Sequence, residues 1–221
     1  VAALRAAGLT GTGDPFGMER QRPDGVVLSW RVAFVVGGRI GGATPFLISW
    51  DSGGSPAYDA PAGGRLVAAI ERAGGRGFAM RMDMADERSI LAGFEAVDRF
   101  GRLEVLVNNA GIVGAVHKLE DVTVATLKEI CDINIIGCFI AAREAVRRMS
   151  TKRGGQGGAI VNVSSGAAQL GSPNTYIHYA ATKGAIETMT IGLSKEVGPE
   201  GIRVNCARPG LTDTEIHSGR P

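Results

Sequence analysis

Aromatic residues are scarce, 5% of the 221-residue chain, which removes the stacking surfaces used by single-stranded nucleic acid binders. Net charge is nearly absent too. At +2 it sets up no strong field to draw the chain to nucleic acid or an anionic membrane. Long apolar runs are missing: the longest, residues 135–142, stops at Arg143, well short of the ~20 residues a bilayer-spanning helix needs. Cysteines are few. Cys131, Cys138 and Cys206 form no CxxC pair, and in a helix the first two would lie roughly 10 Å apart along the axis, too far for a disulfide. Free thiols suit a reducing compartment, and no signal-peptide pattern follows Val1, so the cytoplasm is the expected location. His117, His178 and His217 show no ligand spacing and have no cysteine beside them, so no metal site is expected. The absence of a G-x-S-x-G elbow removes the commonest hydrolase signature.

Glycine is abundant instead, 33 residues of 221, roughly twice the usual share. The chain is long enough for one domain with a substantial core. From residue 65 onward helix and strand patterns alternate. Residues 65–72 have helical spacing and stop at Gly74-Gly75, and 77–82 read as a strand. Asp86 can cap a helix to Arg99, and residues 103–107 form a buried-type strand. Thr123 can cap a long helix to about Met149. Leu127, Ile130, Asn134, Cys138, Ala141 and Ala145 share one of its faces. Residues 159–163 read as a strand. A helix from Tyr179 follows, burying Ile186, Met189, Leu193 and Val197, and then a strand over 202–207. This alternation predicts an α/β fold with a doubly wound parallel sheet and helices on both faces.

The first third is different. Residues 1–31 have no sustained period and read as a disordered extension, leaving 32–221 as a single α/β domain. Residues 31–36 suit a first strand, and the glycines that follow (37, 38, 41 and 42) suit a phosphate loop. Pro45 falls where the next helix should run, and no second strand is legible over 46–64.

Tyr179 and Lys183 stand at i and i+4, so both project from one helix face. A phenol is a poor base at neutral pH; a nearby ammonium favours phenolate and brings it closer to the working range. Such a group can take or give the O–H proton when an alcohol is oxidised or a carbonyl reduced. Ser165 follows a strand and could hold the substrate oxygen beside that phenol. Asn134 is polar on an apolar stripe, so its amide must find partners, either structural ones or a held water. The run 108–111 (NNAG) sits at the carboxyl end of a buried strand, where open α/β sheets bind ligands.

Five ordered stretches, NNAG (108–111), INIIGCF around Asn134, IVNVSS (160–165), YAATK (179–183) and IRVNCARPG (202–210), resemble the short-chain dehydrogenase/reductase family. They are most similar to its sugar dehydrogenase and 3-oxoacyl-carrier-protein reductase branch. The resemblance implies a Rossmann-type sheet that, in this chain, lacks its last strand, so that the domain is truncated at its carboxyl end. It implies a catalytic set in which Tyr179 is the acid/base and Lys183 lowers its pKa and holds the nicotinamide ribose. Ser165 would orient the substrate oxygen, and Asn134 would anchor a water. Gly37, Arg39, Gly41, Asp83, Met84, Asn109, Ala110, Gly111, Pro209, Gly210 and Thr214 would join Tyr179 and Lys183 in binding the cofactor. That cofactor would be NADP or NAD, with Arg39 favouring NADP. The implied substrate is a small alcohol or carbonyl of sugar, polyol or 3-oxoacyl type. The implied partner is another copy, in a homodimer or homotetramer formed through the two long helices. The alternative is a catalytically impaired fragment or a non-catalytic interaction module.

Overall fold

The computed structural model describes residues 16–21, 27–32, 74 and 76–210. The chain divides into two units, residues 1–42 with 212–221, and residues 43–211.

In the first unit, β1 (Phe16–Gln21) pairs antiparallel with β2 (Val27–Val32), Phe16 opposite Val32 and Gln21 opposite Val27. An extension without regular structure was expected through residue 31, and within it the described residues 16–21 and 27–31 lie in paired strands. Two strands stand where no period was legible, because a hairpin is specified by its cross-strand ladder and turn as well as by alternation. Arg31 and Val32 therefore end an antiparallel strand and do not open a parallel one. The remainder of the proposed first strand, the glycine loop and the 65–72 helix lie outside the described residues.

In the second unit, residues 77–82 form no strand, and Asp83 makes only an isolated bridge. A strand is defined by a ladder partner, and among the described residues this run has none. Helix α1 (Glu87–Phe100) begins where Asp86 accepts a bond from the Arg88 N–H (2.9 Å) and ends at Gly101, whose N–H caps Val97. Its inner face carries Ile90, Phe94 and Val97 into the main core. Each fully buried side chain of this size contributes about 1.5–3 kcal/mol.

The long helix expected over 123–149 runs continuously over residues 124–149, with a π-helical segment in its middle. Thr123 caps α2 (Val124–Cys131), accepting from the Thr126 N–H at 3.1 Å. A π-helical segment, Asp132–Gly137, then leads into α3 (Cys138–Met149). The extra residue in a π turn shifts the register. Ile130, Asn134, Cys138, Ala141 and Ala145 are buried as expected, whereas Leu127, one turn before Ile130 in α2, is exposed. Gly137, at the end of the π segment, lies against the Met84 backbone, where any Cβ would collide with the Met84 carbonyl.

Three strands, β3 (Val105–Asn108), β4 (Gly158–Val163) and β5 (Ile202–Ala207), make a parallel sheet in the order β3-β4-β5. Its register aligns Asn108 with Asn162 and Asn162 with Cys206. The short α4 (Ala167–Leu170) and the long α5 (Ile177–Val197) separate β4 from β5. Leu106, Ile160, Ile202 and Val204 from the strands meet Phe94, Ala141, Ala145 and Met149 from the helices in one core. No helix among the described residues is long and apolar enough to cross a membrane.

Candidate active site

The carboxyl ends of β3 and β4 and the first turns of α5 converge on Lys183. Its ammonium is buried, donates to the Val163 carbonyl at 2.8 Å, and lies 5.7 Å from the centre of the Tyr179 ring. The i, i+4 spacing thus brings phenol and ammonium onto the same side of one helix, as expected. Gly111 passes close to Asn134 and Lys183. A Cβ there would sit 3.1 Å from Asn134 Oδ1 and 3.3 Å from Lys183 Nζ, so the loop's close approach depends on glycine.

Ser165, at the carboxyl end of β4, accepts from the Ala167 N–H at 3.2 Å, and its hydroxyl acts to lower the Tyr179 pKa. Ser164 turns the other way. It is buried and donates to Glu187 Oε1 at 2.7 Å, with the Lys183 carbonyl at 3.3 Å. Adjacent residues leaving a strand point to opposite faces, so one serine faces the phenol while its neighbour is committed to α5.

Burial raises the Tyr179 pKa above 10.0, opposed by the Ser165 hydrogen bond. This differs from the expected depression by Lys183. The ammonium is directed at the Val163 carbonyl, and desolvation of the phenol outweighs what acts to lower it. Burial also lowers the Lys183 pKa below 10.5, against the pull of the Cys138 and Cys206 thiols. The phenol is therefore held as a neutral acid. Cys138 is pushed up to about 11 by burial, with Lys183 opposing, and stays a thiol.

Asn134, within the π segment, is fully buried. Its Oδ1 accepts from the Ile112 N–H (2.8 Å), and its Nδ2 donates to the Ile112 carbonyl (2.8 Å) and to Thr182 Oγ1 (3.0 Å). Thr182 in turn donates to the Tyr179 carbonyl at 2.8 Å. The Asn134 amide thus ties the loop after β3 to the helix that carries Tyr179 and Lys183. Neither Ile112 nor Thr182 was visible as a partner, since the pairs are 22 and 48 residues apart. A second buried chain was equally hidden. Asn108 donates to Asn162 (3.0 Å) and to the Cys138 carbonyl (3.2 Å), and Asn162 donates to Thr190 (2.9 Å).

The remaining expected residues are placed as follows. Asn109 and Gly111 are exposed at the sheet's carboxyl edge, with Ala110 buried between them. Pro209 accepts from the Gly166 N–H at 2.9 Å, which brings the turn containing exposed Gly210 beside Ser165. Asp83 accepts from the Ala85 N–H at 2.9 Å. Met84, expected among the cofactor-binding residues, has its side chain in the core. Gly37, Arg39, Gly41 and Thr214 lie outside the described residues. His178 is buried with Gly114 against its Nε2, and burial, then neighbouring His117, holds its pKa below the ordinary value.

A buried ammonium with three donors and, among the described residues, one acceptor at Val163 can take further oxygen partners. Together with the side-chain-free approach at Gly111, this fits a hydroxyl-bearing sugar such as a nucleotide ribose.

Comparison with known proteins identifies the class. The profile of the short chain dehydrogenase family matches residues 57–220, and this chain belongs to that family. A second profile, a glyoxalase-like domain, matches residues 1–81. Among curated relatives, the uncharacterized oxidoreductase YgfF of Escherichia coli (strain K12) is 50% identical over 150 residues, 67% of this chain and 61% of the relative. The cis-4-hydroxycyclohexanecarboxylate dehydrogenase of Sinomonas cyclohexanicum is 35% identical over 201 residues, 89% of this chain and 79% of the relative. A crystal structure of a short chain dehydrogenase from Burkholderia cenocepacia J2315 in complex with NADP superposes with a TM-score of 0.63 at 34% identity. It covers 69% of this chain and 60% of that one. The shared architecture is the Rossmann fold. The chain spans 54–61% of the length of three curated relatives that it matches.

Proposed function

We propose that this chain is an NAD(P)-dependent oxidoreductase that interconverts an alcohol and a carbonyl, acting on a sugar, polyol or 3-oxoacyl-type substrate. One observation carries this reading: a phenol, a hydroxyl and an ammonium from Tyr179, Ser165 and Lys183 meet at the carboxyl end of β4. In the reducing direction Ser165 donates a hydrogen bond to the substrate's carbonyl oxygen, and the neutral Tyr179 phenol gives it a proton. A nicotinamide cofactor, when held beside Lys183 and Tyr179, would supply the hydride chemistry at the carbonyl carbon. Lys183, 5.7 Å from the ring centre, stabilises the phenolate left behind. Oxidation runs the same proton in reverse. Asn134 acts through Ile112 and Thr182, holding loop and helix in register.

Lys183 and Tyr179 would hold the ribose, with Asn109, Ala110, Gly111, Pro209 and Gly210 beside it. The NADP complex of the Burkholderia relative supports a nicotinamide dinucleotide, and Arg39 favours NADP over NAD. A homodimer or homotetramer through the long helices belongs to the same reading: Ile136 and Phe139 on one, and Ile191 on α5, leave apolar surface exposed.

A second reading, a catalytically impaired family fragment, is favoured by one observation. The glyoxalase-like match runs through the stretch where the dinucleotide loop is expected. Titrating NADPH and NADH while following nicotinamide fluorescence separates the two. Saturable binding with turnover of a carbonyl supports the oxidoreductase; no binding at millimolar cofactor supports the fragment.

A further inference from the structure

The oxidoreductase reading uses Ser165, Tyr179 and Lys183 but leaves unexplained why the strand ends around them are cross-braced. Glu187, one turn after Lys183 on α5, is the hub of that bracing. Its Oε1 accepts from Ser164 at 2.7 Å and from Arg208 Nε at 2.7 Å, and its Oε2 accepts from Arg208 Nη2 at 2.6 Å. The forked guanidinium fixes the plane of the carboxylate. Arg208 follows β5, and Ser164 follows β4. The two strand ends are also stitched to each other, Ser164 N–H to the Ala207 carbonyl at 2.8 Å and Gly166 N–H to the Pro209 carbonyl at 2.9 Å. Residues 164 and 166 are therefore both tied down, and Ser165 between them has its backbone held on each side.

We infer that Glu187 is a positioning residue for the reaction proposed above: by holding Ser164 and Arg208 against α5, it aims the Ser165 hydroxyl at the Tyr179 phenol. A Ser164 hydroxyl has one proton to give. With Glu187 present it goes to the carboxylate. Without it the hydroxyl keeps only the Lys183 carbonyl, at 3.3 Å, and Arg208 loses the carboxylate that fixes it against α5. Stability is a poor alternative explanation. The Arg208–Glu187 pair is partly open to solvent, its side chains 40% and 20% exposed, and ion pairs so placed contribute little to folding.

This inference rests on the oxidoreductase reading for its purpose, and its test needs neither cofactor nor substrate. The Tyr179 phenol is titrated by NMR of ring-labelled tyrosine, with Tyr179→Phe assigning its signal against Tyr58 and Tyr176. Ser165→Ala removes a group that lowers the phenol's pKa, so its titration should move up. Glu187→Gln and Glu187→Ala should reproduce most of that upward shift while thermal melting stays within a few degrees, and adding Ser165→Ala to either should shift it no further. Should Glu187→Ala fail to fold, Arg208→Gln, which removes the fork, is read in the same way. Titration of Tyr179 in the Glu187 variants at the wild-type value, with Ser165→Ala shifted, overturns the inference. Absence of turnover in the wild-type chain would count against the oxidoreductase reading alone, because the phenol titration is independent of it.

Discussion

Asn134 and Ile112 exchange a reciprocal pair of hydrogen bonds, each 2.8 Å long, between the π segment and the loop that follows β3. The same amide reaches Thr182 on α5, so one buried side chain joins three elements. Asn134→Ala leaves the Ile112 N–H and carbonyl without this partner, at a cost of about 1–3 kcal/mol for each buried group left unpaired. A urea unfolding curve should show a clearly lowered midpoint with an unchanged slope. A midpoint equal to wild type would mean that solvent replaces the amide.

Tyr179→Phe removes the proton donor and keeps the ring. Turnover should fall by about 10²–10⁴-fold, the usual worth of a positioned general acid, while cofactor affinity stays close to wild type. Steady-state kinetics paired with nicotinamide fluorescence separates the two effects. A fully active variant would remove Tyr179 from the acid/base role.

Stability should respond to pH on the alkaline side through two opposed groups. Lys183 has a folded-state pKa below 10.5, so between that lowered value and 10.5 the unfolded chain binds more protons and stability rises with pH. Tyr179 has a folded-state pKa above 10.0. Its contribution is present below 10.0 and is lost as pH rises through the folded value. Lys183→Met should flatten the rise, and Tyr179→Phe should soften the fall. Urea midpoints taken at intervals from pH 7 upward check both. An unaltered profile in Lys183→Met would show that the ammonium is solvated.

The three thiols should separate by accessibility. Cys206 is exposed, Cys131 partly buried and Cys138 buried with its pKa near 11. At pH 8 a disulfide reagent should modify Cys206 readily and Cys138 only on unfolding, since the thiolate is the reacting form. Rapid modification of Cys138 in the folded protein would contradict the packing of α3 against α5.

Core packing offers a check on the fold itself. Phe94 is completely buried between α1 and the sheet, and Phe94→Ala should cost about 3–5 kcal/mol, visible as a lowered thermal midpoint. A loss under about 1 kcal/mol would mean that the helix is held elsewhere.

Much of the site was legible because it is local. Tyr179 and Lys183 lie one turn apart on a helix whose period shows in the sequence, and Ser165 ends a strand whose apolar run and limits are equally plain. The NNAG turn after β3 belongs to the same kind of signal. Non-local pairings were not legible. Nothing along the chain announces that Asn134 meets Thr182, that Asn108 meets Asn162, or that Glu187 meets Ser164 and Arg208. The hairpin at residues 16–32 escaped for a related reason: its order lies in pairing between two short runs, neither of which has a clear period.

By itself the chain determined the helix and strand pattern from Asp86 onward, the caps at Asp86 and Thr123, and the shared helix face of Tyr179 and Lys183. Those follow from interactions within a few residues. Only the tertiary structure decided the π segment at Asp132–Gly137, the inward turn of Met84, the opposite facing of Ser164 and Ser165, and the sign of the pKa shifts at Tyr179 and Lys183. Each of these depends on burial and on partners many residues away, and desolvation is a property of the packed molecule.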